Sequence, residues 1–124
     1  RTNILTFSSV RIPFYHVRNG EVLEYYPKNY STNCSENGNF KFISEKLQLK
    51  PGDTIYLCSD GYTDQFGGLS HKKYLRHRFK SFLLTIQAYT MPEQSDRLYE
   101  EIEQWREEND EEQTDDILVI GIRI

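Results

Sequence analysis

Four aspartates flank two strongly apolar runs, and their carboxylates are the groups of this sequence with the clearest chemical potential. They are Asp60, Asp64, Asp115 and Asp116. The first two follow the run at residues 54–58, and the last two precede the run at residues 117–120. Clustered carboxylates repel unless a cation or a shared proton compensates, and oxygen-only donors favour Mg²⁺, Mn²⁺ or Ca²⁺. The pattern therefore indicates a cation site, or else a turn after the first run and a cap before the second.

We expect the two runs to be adjacent central strands, because continuous apolar strands are typical of sheet positions covered on both faces. If they pair antiparallel, the end of the first strand lies beside the start of the second. Asp60 and Asp115 then meet at one rim of the sheet, and Asp64 reaches the same rim if the chain turns. The bidentate glutamate that an EF-hand loop requires is absent, so that calcium motif is excluded.

The other segments predict an α+β fold with a helix pair on one side of a sheet. Asn19-Gly20 indicates a β-hairpin, because both central positions of its turn need positive φ. Strands are also predicted at residues 3–10 and 40–49, and a loop at residues 27–39.

Two helices are predicted in the second half of the chain. Apolar residues recur at helical spacing from Leu75 to Ile86. Basic residues fill much of the opposite face: Lys72, Lys73, Arg76, Arg78 and Lys80. Thr90 and Glu93 fit the capping box of a second helix, which buries Trp105.

Length and composition bound the class of protein. The chain has 124 residues, of which 37% are hydrophobic and 14% aromatic, so one folded domain is expected. No membrane span or signal peptide is visible, and because the chain starts with Arg1, we expect a piece of a longer protein. Cys34 and Cys58 form no C-x-x-C pair, so zinc is not indicated and a reducing, cytosolic setting is expected.

The net charge of −4 hides an uneven distribution. Residues 1–89 include 12 basic and 7 acidic residues, whereas residues 90–124 include 3 and 12. A basic face can bind nucleic acid, but solvated helix faces of opposite sign explain the same distribution. No nucleic-acid motif is present, so we expect no nucleic-acid partner.

Residues 49–68, LKPGDTIYLCSDGYTDQFGG, resemble the central block of the SpoIIE-like family of PPM-type, metal-dependent serine/threonine phosphatases. Residues 113–124 resemble that family's closing Asp-Asp strand, and the hairpin around Asn19-Gly20 resembles the one that precedes the central block. Residues 91–94, MPEQ, are similar to a variant attached to sensor and two-component proteins. The resemblance covers nearly the whole chain.

The resemblance implies a β-sandwich flanked by helices, with a binuclear Mn²⁺ or Mg²⁺ centre that hydrolyses phosphoserine or phosphothreonine. It implies that Asp60 and Asp115 are metal ligands and that Asp64 is a possible accessory ligand. Asp116 would orient the ligands or balance their charge. Gly61 would let the backbone approach the metal region without a Cβ. No catalytic residue is implied beyond the metal ligands.

The sequence departs from the family in its first part. The family completes its metal site with an earlier Asp segment and a Gly-His-Gly motif, but here no acid precedes Glu21 and no such motif occurs. We therefore expect residues 1–124 to be the C-terminal half of a SpoIIE-like phosphatase domain, with weak metal binding and no useful activity in isolation. An incomplete sandwich leaves apolar surface uncovered, so self-association is also expected.

The resemblance also implies partners. The substrate would be a phosphorylated regulatory protein of bacterial signal transduction, such as an anti-sigma-factor antagonist, and sensor or receiver domains would lie upstream. The catalytic part is expected in the cytoplasm, and the full-length protein could be membrane-anchored. The alternative is a binding or scaffold module that keeps the phosphatase fold without the chemistry.

Overall fold

The structure is a computed structural model that describes residues 2–9, 12–26 and 44–124. Its elements are β1 Ile4–Phe7, β2 Phe14–Arg18, β3 Glu21–Tyr25, β4 Glu45–Gln48, β5 Thr54–Cys58, α1 Asp60–Asp64, β6 Phe66–Gly67, β7 Lys72–Lys73, α2 Arg76–Thr85, α3 Met91–Glu107 and β8 Val119–Arg123. This mixture confirms the α+β class. The predicted loop at 27–39, Cys34 and the start of the strand predicted at 40–49 lie outside the described residues.

A four-stranded antiparallel sheet in the order β3-β2-β5-β8 forms the centre of the fold. The β2–β3 hairpin turns at Asn19 and Gly20, whose φ angles of 51° and 77° are those the Asn-Gly pair predicts. β5 and β8 pair antiparallel with Cys58 opposite Val119, which confirms that the two apolar runs are neighbours. Among the described strands β8 lies at the edge of this sheet, so its predicted central position is wrong.

Helices α2 and α3 pack on one face of the central sheet, as predicted. The core between them and the sheet contains Tyr15, Val17, Tyr56, Cys58, Tyr62, Tyr74, Phe79, Leu83, Ile86, Leu98, Ile102 and Trp105. The predicted capping box starts α3, with the Glu93 carboxylate accepting a hydrogen bond from Thr90 N–H at 2.8 Å. No helix in the described ranges combines the length and apolar character needed to cross a bilayer.

The segment before α2 differs from the prediction. Leu75 precedes the helix with a φ of 74° and is 43% exposed, so it is not part of the buried helix face. Lys72 and Lys73 lie in β7, not on the helix. The segment that precedes these lysines forms a hairpin of β6 and β7, where Gly68 N–H donates to the Trp105 carbonyl at 2.7 Å. The indole ring leaves no room for a Cβ on Gly68, so only glycine permits this packing.

The opposite face of the central sheet has a smaller core. β1 and β4 form a separate antiparallel pair, and Leu5, Phe7 and Leu47 from this pair pack against Phe14 and Ile55. The β1–β4 pair covers only part of the face. Three aliphatic residues of the two runs that were predicted to be buried remain exposed: Leu57, Leu118 and Ile120. Ile122, just beyond the second run, is exposed as well. The expectation that both runs are covered on both faces is therefore wrong.

Candidate functional site

The end of β5 and the entry to β8 form one rim of the central sheet, and the predicted acidic residues lie there. Asp60 is the first residue of α1, directly after β5. Asp115 and Asp116 lie in the segment that leads into β8. The Ser59 N–H donates to the Leu118 carbonyl at 2.9 Å, which extends the pairing of the two strands toward the acids. The structure thus brings the two acidic segments side by side.

Ser59 joins the two acidic segments through its side chain. Its hydroxyl donates to the Asp116 carbonyl oxygen and accepts from the Leu118 N–H, both at 3.0 Å. As the N-cap of α1, this serine would ordinarily bond to its own helix, yet it makes no such cap bond. Its side chain instead fixes the backbone that carries Asp115 and Asp116.

Gly61 permits the closest approach between the two segments. A Cβ at this position would overlap the carbonyl oxygen of Asp116 and would lie 3.4 Å from Ile117 Cγ1. The obstructing atom belongs to the backbone, so it cannot rotate away as a side chain can. The missing side chain therefore makes room for the Asp116 backbone.

The four predicted carboxylates are exposed but differ in their surroundings. The Asp60 carboxylate has no hydrogen-bond or ion-pair partner among the described residues. Asp115 Oδ1 accepts the N–H of Asp116 at 2.7 Å, and Asp64 Oδ1 lies 3.3 Å from Lys73 Nζ. Within the described ranges, no group of three or more His, Cys, Asp or Glu is arranged to hold a metal ion. Carboxylate oxygens are donors that hard cations prefer, but in the described ranges these side chains do not form such a group.

Gln65 binds the closing acidic segment, residues 112–116, which leads into β8. This role was not predicted from the sequence. Its side chain is fully buried, donates to the Glu112 carbonyl at 2.9 Å and accepts from the Thr114 N–H at 3.3 Å. The backbone carbonyl of Gln65 accepts the Trp105 indole N–H at 3.1 Å. No apolar periodicity marks a buried glutamine, so the sequence held no signal for this role.

Tyr62 anchors α1 to the helix layer. Its hydroxyl donates to the Leu98 carbonyl of α3 at 2.8 Å. Burial raises the pKa of Tyr62 far above its usual value, so the phenol stays protonated and the hydrogen bond persists. The helix that begins at Asp60 is therefore held by the core.

Cys58 is a buried free thiol at the end of β5, as the apolar run predicts. Burial, with a smaller contribution from the charge of Asp60, raises its pKa to about 12. A thiol with such a pKa stays protonated at neutral pH, so it is a poor nucleophile.

The predicted basic face is largely engaged within the molecule. Lys80 Nζ lies 3.2 Å from Glu24 Oε2, and the Arg78 guanidinium stacks 4.2 Å from the centre of the Trp105 ring. Of the five basic residues, only Lys72 has no such contact within the described part of the chain. These contacts fit the interpretation of a solvated helix face better than that of a free basic surface.

Two solved structures superpose on this fold. The whole chain superposes on the SiaA-PP2C domain of Pseudomonas aeruginosa with a TM-score of 0.83 and 27% identity, and covers 48% of that chain. It also superposes on the phosphatase domain of the cell fate determinant SpoIIE from Bacillus subtilis with a TM-score of 0.63 and 22% identity. That match covers 98% of this chain and 50% of the other. The fold is therefore that of a PP2C-type phosphatase domain, of which this chain spans about half the length.

The family follows from the sequence itself. The family model of Stage II sporulation protein E (SpoIIE) matches residues 1–124. The chain therefore belongs to the SpoIIE family, as the resemblance predicted. No curated protein sequence matches the chain at a significant level.

Proposed function

We propose that this chain is the C-terminal half of a metal-dependent phosphatase domain that hydrolyses phosphoserine or phosphothreonine on a regulatory protein. The observation that carries the proposal is the rim at which Ser59 and Gly61 hold Asp60 beside Asp115 and Asp116. Membership of the SpoIIE family and the PP2C-type fold support a protein phosphatase.

The proposed metal ligands are Asp60 and Asp115. Both are exposed carboxylates at one rim, and carboxylate oxygens are the donors that Mn²⁺ and Mg²⁺ prefer. When bound, such ions activate water and neutralise the charge of the phosphoryl oxygens. Asp116 would add negative charge beside the ligands. Asp64 would contribute only after releasing Lys73, so its effect on metal affinity should be smaller.

Two carboxylates do not complete the ligand set of a hard cation, which takes about six oxygen ligands. The missing donors would come from the half of the domain that this chain does not span, since the solved relatives are about twice as long. Residues 1–124 alone should therefore bind Mn²⁺ weakly and turn over no substrate at a useful rate.

The proposed setting is bacterial signal transduction in the cytoplasm. One solved relative contains the SpoIIE phosphatase domain together with a fragment of its regulatory domain. By analogy, sensor or receiver domains would control this domain, and its substrate would be a phosphorylated regulatory protein such as an anti-sigma-factor antagonist.

One observation favours a second candidate function. Since no three-ligand metal cluster exists in the described residues, the chain could act as a binding or scaffold module that keeps the phosphatase fold. Such a module would not depend on the rim carboxylates, whereas the enzyme would.

Mn²⁺ titration followed by electron paramagnetic resonance distinguishes the phosphatase from the binding or scaffold module. Asp60→Asn and Asp115→Asn should each weaken Mn²⁺ binding about tenfold, a loss of about 1.4 kcal/mol. Asp96→Asn on the exposed surface of α3 is the matched control and should bind as the wild type does. Equal affinities in all three variants would reject the ligand assignment.

Activity provides the second readout. The protein encoded by the complete gene should hydrolyse p-nitrophenyl phosphate with Mn²⁺ and should lose this activity in Asp60→Asn but not in Asp96→Asn. An inactive complete protein would favour the scaffold module. Turnover by residues 1–124 alone, abolished by Asp60→Asn, would show that the half-domain proposal is wrong.

A further inference from the structure

The two adjacent lysines of β7 lie on opposite faces of the β6–β7 hairpin. Lys73 pairs across the hairpin with Phe66. Lys72 pairs with Gly67. Paired residues share a face, whereas successive residues of a strand point to opposite faces. Lys73 Nζ lies 3.3 Å from Asp64 Oδ1 and 6.0 Å from the centre of the Phe66 ring. Lys73 therefore lies on the face of the hairpin that meets α1, and Lys72 lies on the other face.

The backbone on both sides of β7 is strained. His71 and Leu75 have φ angles of 47° and 74°, a region that non-glycine residues rarely adopt. Such conformations persist only where the surrounding structure enforces them, and they are common at functional sites. Two hydrogen bonds hold the chain after β7. Tyr74 N–H donates to the Gln65 carbonyl at 2.9 Å. Leu75 N–H donates to the Thr63 carbonyl at 2.8 Å. The fold thus fixes the position of β7 beside α1.

Lys73 lies about one helical turn from the proposed metal ligand Asp60. Asp60 and Asp64 are the first and last residues of α1, and residues four apart lie on the same face of a helix. Their separation along the helix axis is about 6 Å. The Lys73 ammonium contacts Asp64 and makes no ion pair with Asp60 within the described ranges. Successive residues of an extended chain are about 3.4 Å apart, so this ammonium is placed to contact a substrate residue one or two positions from the phosphorylated residue.

Charge complementarity favours an acidic substrate residue at Lys73. Among the residues that the structure describes, Lys73 is the only cation that pairs with any of the four predicted carboxylates. The side chains of Lys73 and Asp64 are 43% and 53% exposed, and an ion pair this exposed is weak. A carboxylate of a bound protein can therefore replace Asp64 at little cost. Without such a cation, the neighbouring aspartates would repel an acidic segment.

We propose that Lys73 is a substrate-binding residue, which binds an aspartate or glutamate one or two positions from the phosphorylated residue of the substrate protein. This inference rests on the proposed phosphatase function, whose substrate it narrows to an acidic segment. On binding, Lys73 exchanges its ion pair with Asp64 for one with the substrate carboxylate. Lys72 has no ion-pair or ring contact within the described part of the chain, lies on the other face of the hairpin and takes no part.

Fluorescence anisotropy tests the assignment through binding alone. The probes are two labelled peptides that contain a non-hydrolysable phosphonate analogue of phosphoserine, flanked on both sides by glutamates in one peptide and by glutamines in the other. The protein encoded by the complete gene, with Mn²⁺ and at about 0.15 M ionic strength, should bind the glutamate peptide about two- to fivefold more tightly. Lys73→Glu should abolish or reverse this preference, and Lys73→Arg should keep it. Lys72→Glu makes the same charge change on the opposite face of the hairpin and should also keep it.

Three binding results would overturn the assignment: no binding of either peptide up to about 1 mM, equal binding of the two peptides by the wild type, or an unchanged preference in Lys73→Glu. Hydrolysis of the matching phosphoserine peptides separates this inference from the proposed function. If the preference depends on Lys73 but neither peptide is hydrolysed, the phosphatase proposal is wrong and Lys73 binds the ligand of a scaffold module. If both peptides are hydrolysed and Lys73→Glu leaves the ratio of their kcat/KM values unchanged, the phosphatase stands and the assignment of Lys73 is wrong.

Discussion

The carbonyl oxygen of Asp116 occupies the space that a side chain on Gly61 would need. The Ser59 hydroxyl donates a hydrogen bond to the same carbonyl oxygen. Together, this bond and the close contact with Gly61 set the separation of the two acidic segments. The rim geometry therefore depends on a missing side chain and a single hydroxyl as well as on the acids themselves.

Gly61→Ala should destabilise the fold and disturb the rim. The added methyl group meets backbone, so the free energy of unfolding should fall by about 1–3 kcal/mol, and Mn²⁺ affinity should fall with it. Urea denaturation and Mn²⁺ titration measure the two effects. Gly20→Ala is the control: no atom lies within 4 Å of its Cβ, although its φ of 77° makes any cost one of backbone strain. Gly20→Ala should leave Mn²⁺ affinity unchanged, and a Gly61→Ala protein as stable as the wild type would contradict the steric argument.

The elements that could be predicted are those fixed by local chemistry. Asn19 and Gly20 alone determine the type of their hairpin turn. Thr90 and Glu93 form a capping box within a single helical turn. The continuous apolar run located β5, but it could not say what covers each face. Ile120 and Ile122 are as apolar as core residues and yet exposed, because burial depends on the chain that packs beside them.

The position of the acidic segments at one rim was predictable to the same degree. Asp60 and Asp115 follow from strand ends and antiparallel pairing, which sequence can indicate. Ser59 and Gln65 could not be found, because their roles are hydrogen bonds to carbonyls 57 and 47 residues away in the sequence. Such bonds depend on the tertiary register, and neither residue type nor spacing encodes that register directly.

Gln65→Glu should loosen the closing acidic segment without altering a proposed ligand. The substitution removes the amide donor that binds the Glu112 carbonyl and buries a carboxylate, so stability should fall by about 1–3 kcal/mol. Hydrogen exchange of the backbone amides from residue 112 to residue 116 should quicken, as mass spectrometry can measure. Gln104→Glu on the exposed surface of α3 makes the same chemical change and should alter neither quantity. Unchanged exchange in Gln65→Glu would show that other contacts hold the segment.

Asp53 lies at the opposite end of β5 from the rim and is buried. Its carboxylate accepts from Arg18 Nε and from the Lys50 N–H, each at 2.8 Å, and lies 3.0 Å from His16 Nε2. The hydrogen bond from Arg18 is the largest influence that holds the pKa of Asp53 far below its usual range. The folded state therefore binds a proton at this carboxylate more weakly than the unfolded state does.

The stability contributed by Asp53 should be lost in acid. Because the folded pKa is depressed, the contribution is complete above the unfolded value of about 3.9 and declines as the pH falls below it toward the folded pKa. Asp53→Asn should lower the free energy of unfolding by about 2–3 kcal/mol near neutral pH, and this difference from the wild type should shrink below about pH 4. Urea denaturation at a series of pH values measures it, with Asp96→Asn as an exposed control that shows little difference at any pH. If the stability deficit of Asp53→Asn stays constant down to about pH 2.5, the prediction is wrong. The wild-type carboxylate would then stabilise the fold through packing and not through the charge that Arg18 binds.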